Sequence, residues 1–246
     1  MKKNFFKHIL FVVSILSVSQ LFAQGSNNNF QLGLITSVNI NWTKATSDKV
    51  QANGPGLGYS YGIMGDFAIK GSSKYFFAVE AIASNFRSKV SLDPEKVWNN
   101  AGVPYKNVNF TYNLNYIELP MSLKFKLNEI GYTTWFAQFG FAPGVLFRSS
   151  AKWDGEFALQ GGTTSVDYYR NNDGDSGFEG YRDDAWFARM GMIIGAGMEY
   201  RFTGNTALVA GLRFNNGLTN FIADNKGDTK AKAINNFIGI NVGLLF

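Results

Sequence analysis

The segment 115–127, NYIELPMSLKFKL, constrains the fold most, because its side chains change character at every second position. The odd positions are all apolar: Ile117, Leu119, Met121, Leu123, Phe125 and Leu127. The even positions include Tyr116, Glu118, Ser122, Lys124 and Lys126. Alternation with a period of two predicts a β-strand that has one apolar face and one polar, charged face.

The same alternation recurs along the chain and predicts eight strands. They fall at about 30–42, 57–70, 75–86, 115–127, 135–147, 185–202, 206–216 and 234–246, and the connections between them alternate between long and short. The long connections include a polar stretch up to about residue 111 and a longer one at 148–184. An even strand number with alternating loop lengths is typical of outer-membrane barrels, whose tight turns face the periplasm. The predicted fold class is therefore all-β, an eight-stranded antiparallel up-and-down transmembrane β-barrel.

Every second residue of a strand faces the same side of the sheet, and we call such a set of positions a parity. The distribution of charge favours this barrel over a soluble β-sandwich or a lipocalin-like barrel, in which the apolar parity would lie inside. The outward parity of the predicted strands carries no charge. The inward parity carries Asp66, Glu80, Glu118, Lys124, Arg189, Glu199 and Arg213. A basic side chain facing lipid at mid-depth costs about 2–4 kcal/mol, so this segregation has a physical cause in a membrane.

Outward-facing aromatic residues gather near the strand ends, at two levels. The predicted outer rim includes Trp42, Tyr59, Phe147 and Trp186, and the predicted inner rim includes Trp135 and Tyr200. Rings at both ends of the strands form the two aromatic girdles of a transmembrane barrel. Aromatic residues make up 16% of the chain and charged residues only 17%, as expected if part of the surface faces something other than water.

The N-terminus has the features of a secretory signal peptide. Lys2, Lys3 and Lys7 form a basic region, residues 9–18 an apolar run, and Phe22-Ala23-Gln24 a cleavage point. We expect residues 1–23 to be removed and residues 24–246 to form a single outer-membrane barrel domain. A retained anchor is disfavoured, because the apolar run is shorter than the roughly 20 residues of a spanning helix. Loss of three lysines lowers the net charge from +5 to +2, which gives no reason to expect a nucleic-acid partner.

Candidate chemistry is sparse. The only histidine, His8, lies in the predicted signal peptide, and cysteine is absent. The mature chain therefore lacks the usual general base near neutral pH and any thiolate ligand, so we predict no catalytic residue and no enzyme activity. Residues 171–175, NNDGD, resemble half of a calcium loop. Ser176 and Arg182, however, occupy the positions that need Gly and a bidentate Glu, so a solvated acidic loop is favoured and no metal or cofactor is predicted.

The inward charges are expected to form a paired network in the lumen. Eight strands enclose an interior that side chains just fill, and the inward parity also carries bulky residues: Met64, Tyr112, Tyr116, Phe136, Phe187, Ile193 and Phe237. We expect Glu118 to pair with Arg189 or Arg213. Lys124 is expected to pair with Asp66 or Glu199. A narrow or gated channel lined by these charges is the alternative.

Several short motifs resemble one family of outer-membrane barrels. They are Tyr116-Ile117-Glu118-Leu119-Pro120 followed by Lys124, the glycines Gly140 and Gly144, Gly195-Ala196-Gly197, the segment 213–220 (RFNNGLTN) and Phe246. This pattern is similar to that of the PorT-like outer-membrane β-barrel family. The resemblance implies outer-membrane location and insertion by the barrel assembly machinery, which reads a final strand that ends in an aromatic residue, here Phe246. It does not imply one activity, although the family's namesake is associated with type IX secretion.

Pro120 has a physical interpretation of its own. Proline cannot donate to a strand ladder, so it predicts a bulge or another local irregularity in this strand.

The expected function is that of a non-enzymatic outer-membrane barrel with a structural or interaction role presented through long extracellular loops. The alternatives are a PorT-like accessory of type IX protein secretion and a narrow passive channel. Expected partners are outer-membrane lipid and lipopolysaccharide, the assembly machinery during insertion, and a secretion-system or surface protein. Lys226, Lys230 and Lys232 suggest contact with lipid A phosphates, although a merely solvated loop is favoured.

Overall fold

The computed structural model describes residues 29–47, 50–92, 105–157, 160–166, 186–222 and 232–246. The strands in these ranges are β1 (Phe30–Ala45), β2 (Val50–Ala52), β3 (Gly56–Ala68), β4 (Tyr75–Leu92), β5 (Tyr105–Glu118), β6 (Met121–Lys126), β7 (Thr133–Phe157), β8 (Gln160–Val166), β9 (Ala188–Thr203), β10 (Thr206–Gly217) and β11 (Ala233–Leu245). A short 3₁₀ turn occupies Ile69–Gly71. The predicted signal peptide, the calcium-like loop, Lys226 and Lys230 lie outside the described residues.

The strands form a closed antiparallel ring of eight, in which β5 and β6 together make one side. Its order is β1, β3, β4, β5 with β6, β7, β9, β10 and β11. The last strand pairs with the first from Gly33 opposite Leu245 to Ala45 opposite Ala233. Because every wall strand has a partner on both sides, the wall has no free edge. The predicted eight-stranded barrel is confirmed, and β2 and β8 are short additions that pair with β4 and β7.

The side formed by β5 and β6 is interrupted at Pro120 without a change of register. Glu118 lies opposite Ile82 and Met121 opposite Val79, so no residue is inserted between them. The irregularity predicted at Pro120 is therefore the missing N–H of proline and not a bulge, and its carbonyl still accepts the Glu80 N–H at 2.8 Å. The register shift next to this strand lies between Asn115 and Tyr116, where β5 pairs with β7.

The wall has the parity expected of a barrel in lipid. Large apolar side chains such as Val38, Ile63, Leu123, Ile194 and Leu212 are exposed on the outer face, while the charged parity is buried. The predicted girdle residues Tyr59, Trp135, Phe147, Trp186 and Tyr200 are exposed, and Trp42 is half-buried against Phe214 at a ring distance of 6.1 Å. In the part of the chain described, no helix is long and apolar enough to cross a membrane.

One inward assignment is wrong. Phe187 was expected to fill the lumen, but 63% of its surface is exposed. It lies just before β9, where the alternation of that strand has not yet begun, and only its carbonyl joins the neighbouring strand, accepting the Leu146 N–H at 2.7 Å. The other residues of that set, Met64, Tyr112, Tyr116, Phe136, Ile193 and Phe237, are buried.

Three adjacent strands are longer than their sequence pattern predicts. β4 continues to Leu92, β5 begins at Tyr105 and β7 runs for 25 residues to Phe157, with β8 folded back on its end. The loops expected to begin near residues 87 and 148 are therefore partly strand. A tilted strand needs only about 9–11 residues to cross a bilayer, so one side of the barrel extends beyond the membrane.

The polarity of these strands inverts where they leave the wall. Beyond Asn85, the inward residues Phe86 and Val90 are fully buried, while the outward Arg87 is exposed. The same inversion occurs in β5, where Phe110 and Leu114 are buried. An apolar inside with a polar outside is the pattern of a water-soluble barrel. We therefore place the outer surface of the membrane near Asn85.

Cross-strand hydrogen bonds mark the same boundary on the outer face. Asn85 Nδ2 donates to Asn115 Oδ1 at 2.8 Å, and Arg87 Nε donates to Asn113 Oδ1 at 3.1 Å. Half-buried amides and an exposed guanidinium group on the outer face of a barrel belong in water. Asn85 lies ten positions after Tyr75, the first residue of β4 at its inner end, which matches the length of a spanning strand.

The lipid-facing wall gives a direct test of this topology. We expect Ile194→Arg, near the middle of β9, to lower the free energy of unfolding in bilayers by about 2–4 kcal/mol, because the charge would face lipid at mid-depth. Ile130→Arg, in the exposed turn between β6 and β7, is the matched control and should cost at most about 1 kcal/mol. Urea titration followed by the gel mobility of unboiled samples measures both, and equal costs would contradict the membrane placement.

Candidate functional site

The inner part of the lumen contains a four-charge cluster that joins three strands. Lys124 Nζ donates to Asp66 Oδ1 at 3.0 Å and Oδ2 at 2.8 Å, and lies 3.5 Å from Glu199 Oε1. Lys126 Nζ lies 2.9 Å from Asp66 Oδ2 and 2.8 Å from Glu199 Oε2, and also donates to Gln31 Oε1 at 2.9 Å. Two lysines between two carboxylates make a neutral cluster, which is how buried charge is tolerated.

The middle of the lumen holds an ion pair between β4 and β10. Arg213 Nη1 donates to Glu80 Oε2 at 2.8 Å, and Nη2 makes a second, shorter contact with Oε1. Two parallel bonds give the fork geometry that is strongest for Arg and carboxylate. The cavity beside this pair measures about 10 Å³ and is also lined by Ser60, Ile82 and Asn241, so it has room for about one water molecule.

The outer ion pair joins Glu118 and Arg189. Arg189 Nη1 donates to Glu118, and Nη2 donates to Asn215 Oδ1 at 2.8 Å. The guanidinium also lies over the rings of Phe86 and Phe237, at 4.6 and 5.8 Å from their centroids. Contact with two aromatic faces replaces part of the hydration that the cation loses on burial.

Two groups of apolar side chains fill the lumen around the ion pairs of Glu80 with Arg213 and Glu118 with Arg189. The outer plug, as we call the larger group, consists of Val50, Phe86, Val90, Phe110, Tyr112, Leu114, Tyr116, Phe221, Ala233 and Phe237. A smaller group contains Ile35, Met64, Ile82, Phe136, Val209 and Leu245. The outer plug lies where the strands invert their polarity, so it is the hydrophobic core of the part that extends beyond the membrane.

Glycines of β9 leave room for two side chains of the neighbouring β7, since Gly197 lies opposite Phe136 and Gly195 opposite Gln138. A Cβ on Gly197 would lie 2.7 Å from Phe136 Cζ, and one on Gly195 would lie 3.0 Å from Gln138 Cγ. The sequence predicted that glycine in this strand allows close approach, and the packing of Phe136 and Gln138 confirms it.

The structure brings the seven predicted lumen charges together and adds an eighth. Asp66, Glu80, Glu118, Lys124, Arg189, Glu199 and Arg213 are each at most 6% exposed. Glu118 pairs with Arg189, one of its two expected partners, while Arg213 pairs with Glu80. Sequence reasoning missed Lys126, which is 5% exposed and contacts both carboxylates of the inner cluster. Its shared parity with Lys124 was the available signal.

The inner mouth of the barrel is a polar vestibule of about 290 Å³. Its lining includes Gln31, Lys126 and Glu199, which connect it to the inner cluster, and Arg201 and Glu129 at the rim. Arg201 Nη2 lies 2.8 Å from Glu129 Oε2 in a largely exposed pair. Among the residues that the structure describes, no three His, Cys, Asp or Glu side chains are grouped so that they could hold a metal ion.

Glu118 tests the pairing in the lumen. We expect Glu118→Ala to lower the free energy of unfolding by about 3–5 kcal/mol, because it leaves Arg189 buried without a counter-charge. Glu118→Leu combined with Arg189→Met removes both charges and should recover most of the loss. Arg201→Ala, which breaks the exposed pair on the same strand as Arg189, is the control and should cost at most about 1 kcal/mol. Denaturant titration in bilayers gives all three values, and unchanged unfolding of Glu118→Ala would count against the pairing.

The comparison with family models agrees with the architecture. The family model described as outer membrane protein beta-barrel domain matches residues 22–223. A search of curated proteins gave no match. Similar solved structures include Neisserial surface protein A (12% identity, 87% of this chain and 95% of that chain, TM-score 0.44) and OprG from Pseudomonas aeruginosa (10% identity, 91% and 98%, TM-score 0.46). Another is Ail, the attachment invasion locus protein of Yersinia pestis (10% identity, 89% and 99%, TM-score 0.38).

Proposed function

We propose that this chain, which belongs to the outer membrane protein beta-barrel domain family, is a closed, non-enzymatic barrel that acts as an interaction protein at the cell surface. The protein lies in the outer membrane. The observation that carries the proposal is the filled lumen, which leaves the extensions beyond the membrane as the part available to a partner.

The packing of the lumen supports a closed barrel over a channel. Beside Glu80 and Arg213 the cavity has room for about one water molecule, and above them Phe86, Tyr116 and Phe237 pack ring against ring at centroid distances of 5.2 and 5.8 Å. A hydrated ion would have to displace these rings and separate the ion pairs. The paired charges are therefore assigned to stability of the barrel and not to permeation.

The extended strands support an interaction role. β2, β4, β5, β7 and β8 form one sheet at the outer end, because β2 adds to β4 and β8 adds to β7. The outer plug fixes this sheet from the inside, and a sheet held by its own core is a rigid support for binding loops. A role presented at the extracellular end needs no conduction and no catalysis.

Conductance distinguishes the closed barrel from the narrow channel. We expect the purified protein in a planar bilayer to give no current steps, because its lumen is filled. The control is the same preparation run unboiled and boiled on a gel, since faster migration of the unboiled sample shows that folded barrels were present. Reproducible current steps from such a preparation would overturn the closed-barrel proposal and favour the channel.

A PorT-like accessory of type IX protein secretion is the second candidate, and the motif at Tyr116–Pro120 followed by Lys124 favours it. In the lumen, Glu118 and Lys124 of this motif form ion pairs, and Tyr116 belongs to the outer plug. The motif therefore has a sufficient explanation in packing, and an accessory would have to act through another surface, such as the inner mouth and its turns.

Complementation of a strain that lacks the chain separates the two candidates. We expect a variant in which residues 152–165 are replaced by Asn-Gly to insert normally but to fail to restore the surface proteome, because the end of the extracellular sheet is lost. A variant with Arg201→Ala and Glu129→Ala at the inner mouth is the control and should restore it. Selective loss of type IX cargo in the deletion strain, rescued by the shortened chain but not by the inner-mouth variant, would favour the accessory instead.

A further inference from the structure

The turn between β3 and β4 places a lysine in a backbone conformation that favours glycine. Lys70 has φ 51° and ψ 34°, and Gly71 follows it with φ 70°. Among the described residues Lys70 is the one non-glycine residue with positive φ. The other turns at this end place Gly131 and Gly204 in the left-handed region, at φ 66° and 50°. A side chain held in a disfavoured conformation at a turn points to a role for that side chain.

A groove of about 440 Å³ lies on the lipid-facing surface of the wall, beside this turn. It is lined by Ile69, Lys70, Ser72, Tyr75, Leu123 and Phe125, together with the backbone side of Lys124. Tyr75 and Phe125 meet edge to face at a ring distance of 5.0 Å, and Leu123 is 49% exposed. Because this wall faces the membrane at the inner rim, the apolar part of the groove is open to a lipid acyl chain.

The end of the groove at the β3–β4 turn carries polar groups suited to a phosphate. Ser72 Oγ accepts the backbone N–H groups of Lys74 at 3.1 Å and Tyr75 at 3.3 Å. The hydroxyl still has its own proton to donate to a third group. Lys70 is exposed beside it and supplies a positive charge at the depth of the headgroups.

We propose that this groove binds one glycerophospholipid of the periplasmic leaflet. The acyl chain lies along Tyr75, Leu123 and Phe125, and the phosphate accepts hydrogen bonds from Lys70 Nζ and Ser72 Oγ. The position of the groove on the lipid-facing wall and its positive charge select a phospholipid as the occupant. This lipid site is independent of the proposed surface function.

Native mass spectrometry of the purified protein in a neutral detergent tests the site. Phosphatidylglycerol and a diacylglycerol with the same acyl chains are the two probes. We expect the wild type to retain phosphatidylglycerol in preference to diacylglycerol, and Lys70→Asn to lower retention of phosphatidylglycerol by about fivefold. Lys70→Arg keeps the charge and should retain it. Lys44→Asn removes an exposed lysine near the outer end of β1 and should have no effect.

Stability separates a binding role of Lys70 from a structural one. Asn tolerates the left-handed conformation, so Lys70→Asn should unfold at a higher urea concentration than the wild type while binding less lipid. Leu123→Trp, which fills the groove, should lower retention with the turn unchanged. Equal retention of phosphatidylglycerol by wild type and Lys70→Asn would overturn the proposal. So would equal retention of the two probes by the wild type, or a lower urea midpoint for Lys70→Asn.

Discussion

The structure depends on charge neutrality inside a wall that faces lipid. The described residues bury four acidic side chains, Asp66, Glu80, Glu118 and Glu199, and four basic ones, Lys124, Lys126, Arg189 and Arg213. Each has an opposite charge within 3.5 Å. Since an unpaired charge in this setting costs several kcal/mol, these charges are stable inside the lumen only when the strands that carry them, β3, β4, β5, β6, β9 and β10, are in place together. Closure of the barrel and formation of the ion pairs in the lumen are therefore energetically coupled.

The same strands face lipid over one part of their length and water over another. Within the membrane they place Ile117 and Leu123 toward lipid and Glu118 and Lys124 inside. Beyond Asn85 they place apolar side chains inside and polar ones outside, as a protein in water does. The outer plug lies at this change, so the residues that close the lumen are also the core that supports the sheet beyond the membrane. A closed lumen and a rigid extension are two consequences of one inversion.

The sequence was sufficient for the fold because period-two alternation is unambiguous where one face meets lipid. It predicted the ring, the strand parity and the burial of seven charges. It failed where that contrast ends. The polarity of β4 inverts at Phe86, and beyond such points the polar ends of β4, β5 and β7 are predicted as loops although they are strands. Pairing partners were left open for the same reason, because parity tells which residues share the lumen but not how far along the axis each one lies.

Parity alone cannot fix the register of such a barrel, and the charges supply what it lacks. A slip of one residue between β4 and β6 would turn Lys124 and Lys126 into lipid, which hydrophobicity already forbids. A slip of two residues would keep every apolar side chain facing lipid. It would, however, move both lysines about 7 Å along the strand direction and away from Asp66, which lies on β3 next to β4, leaving buried charges unpaired. The inner cluster therefore favours the native register over alternatives that have the same apolar lipid-facing surface. The ion pairs of Glu80 and Glu118 favour it in the same way at two further levels of the lumen.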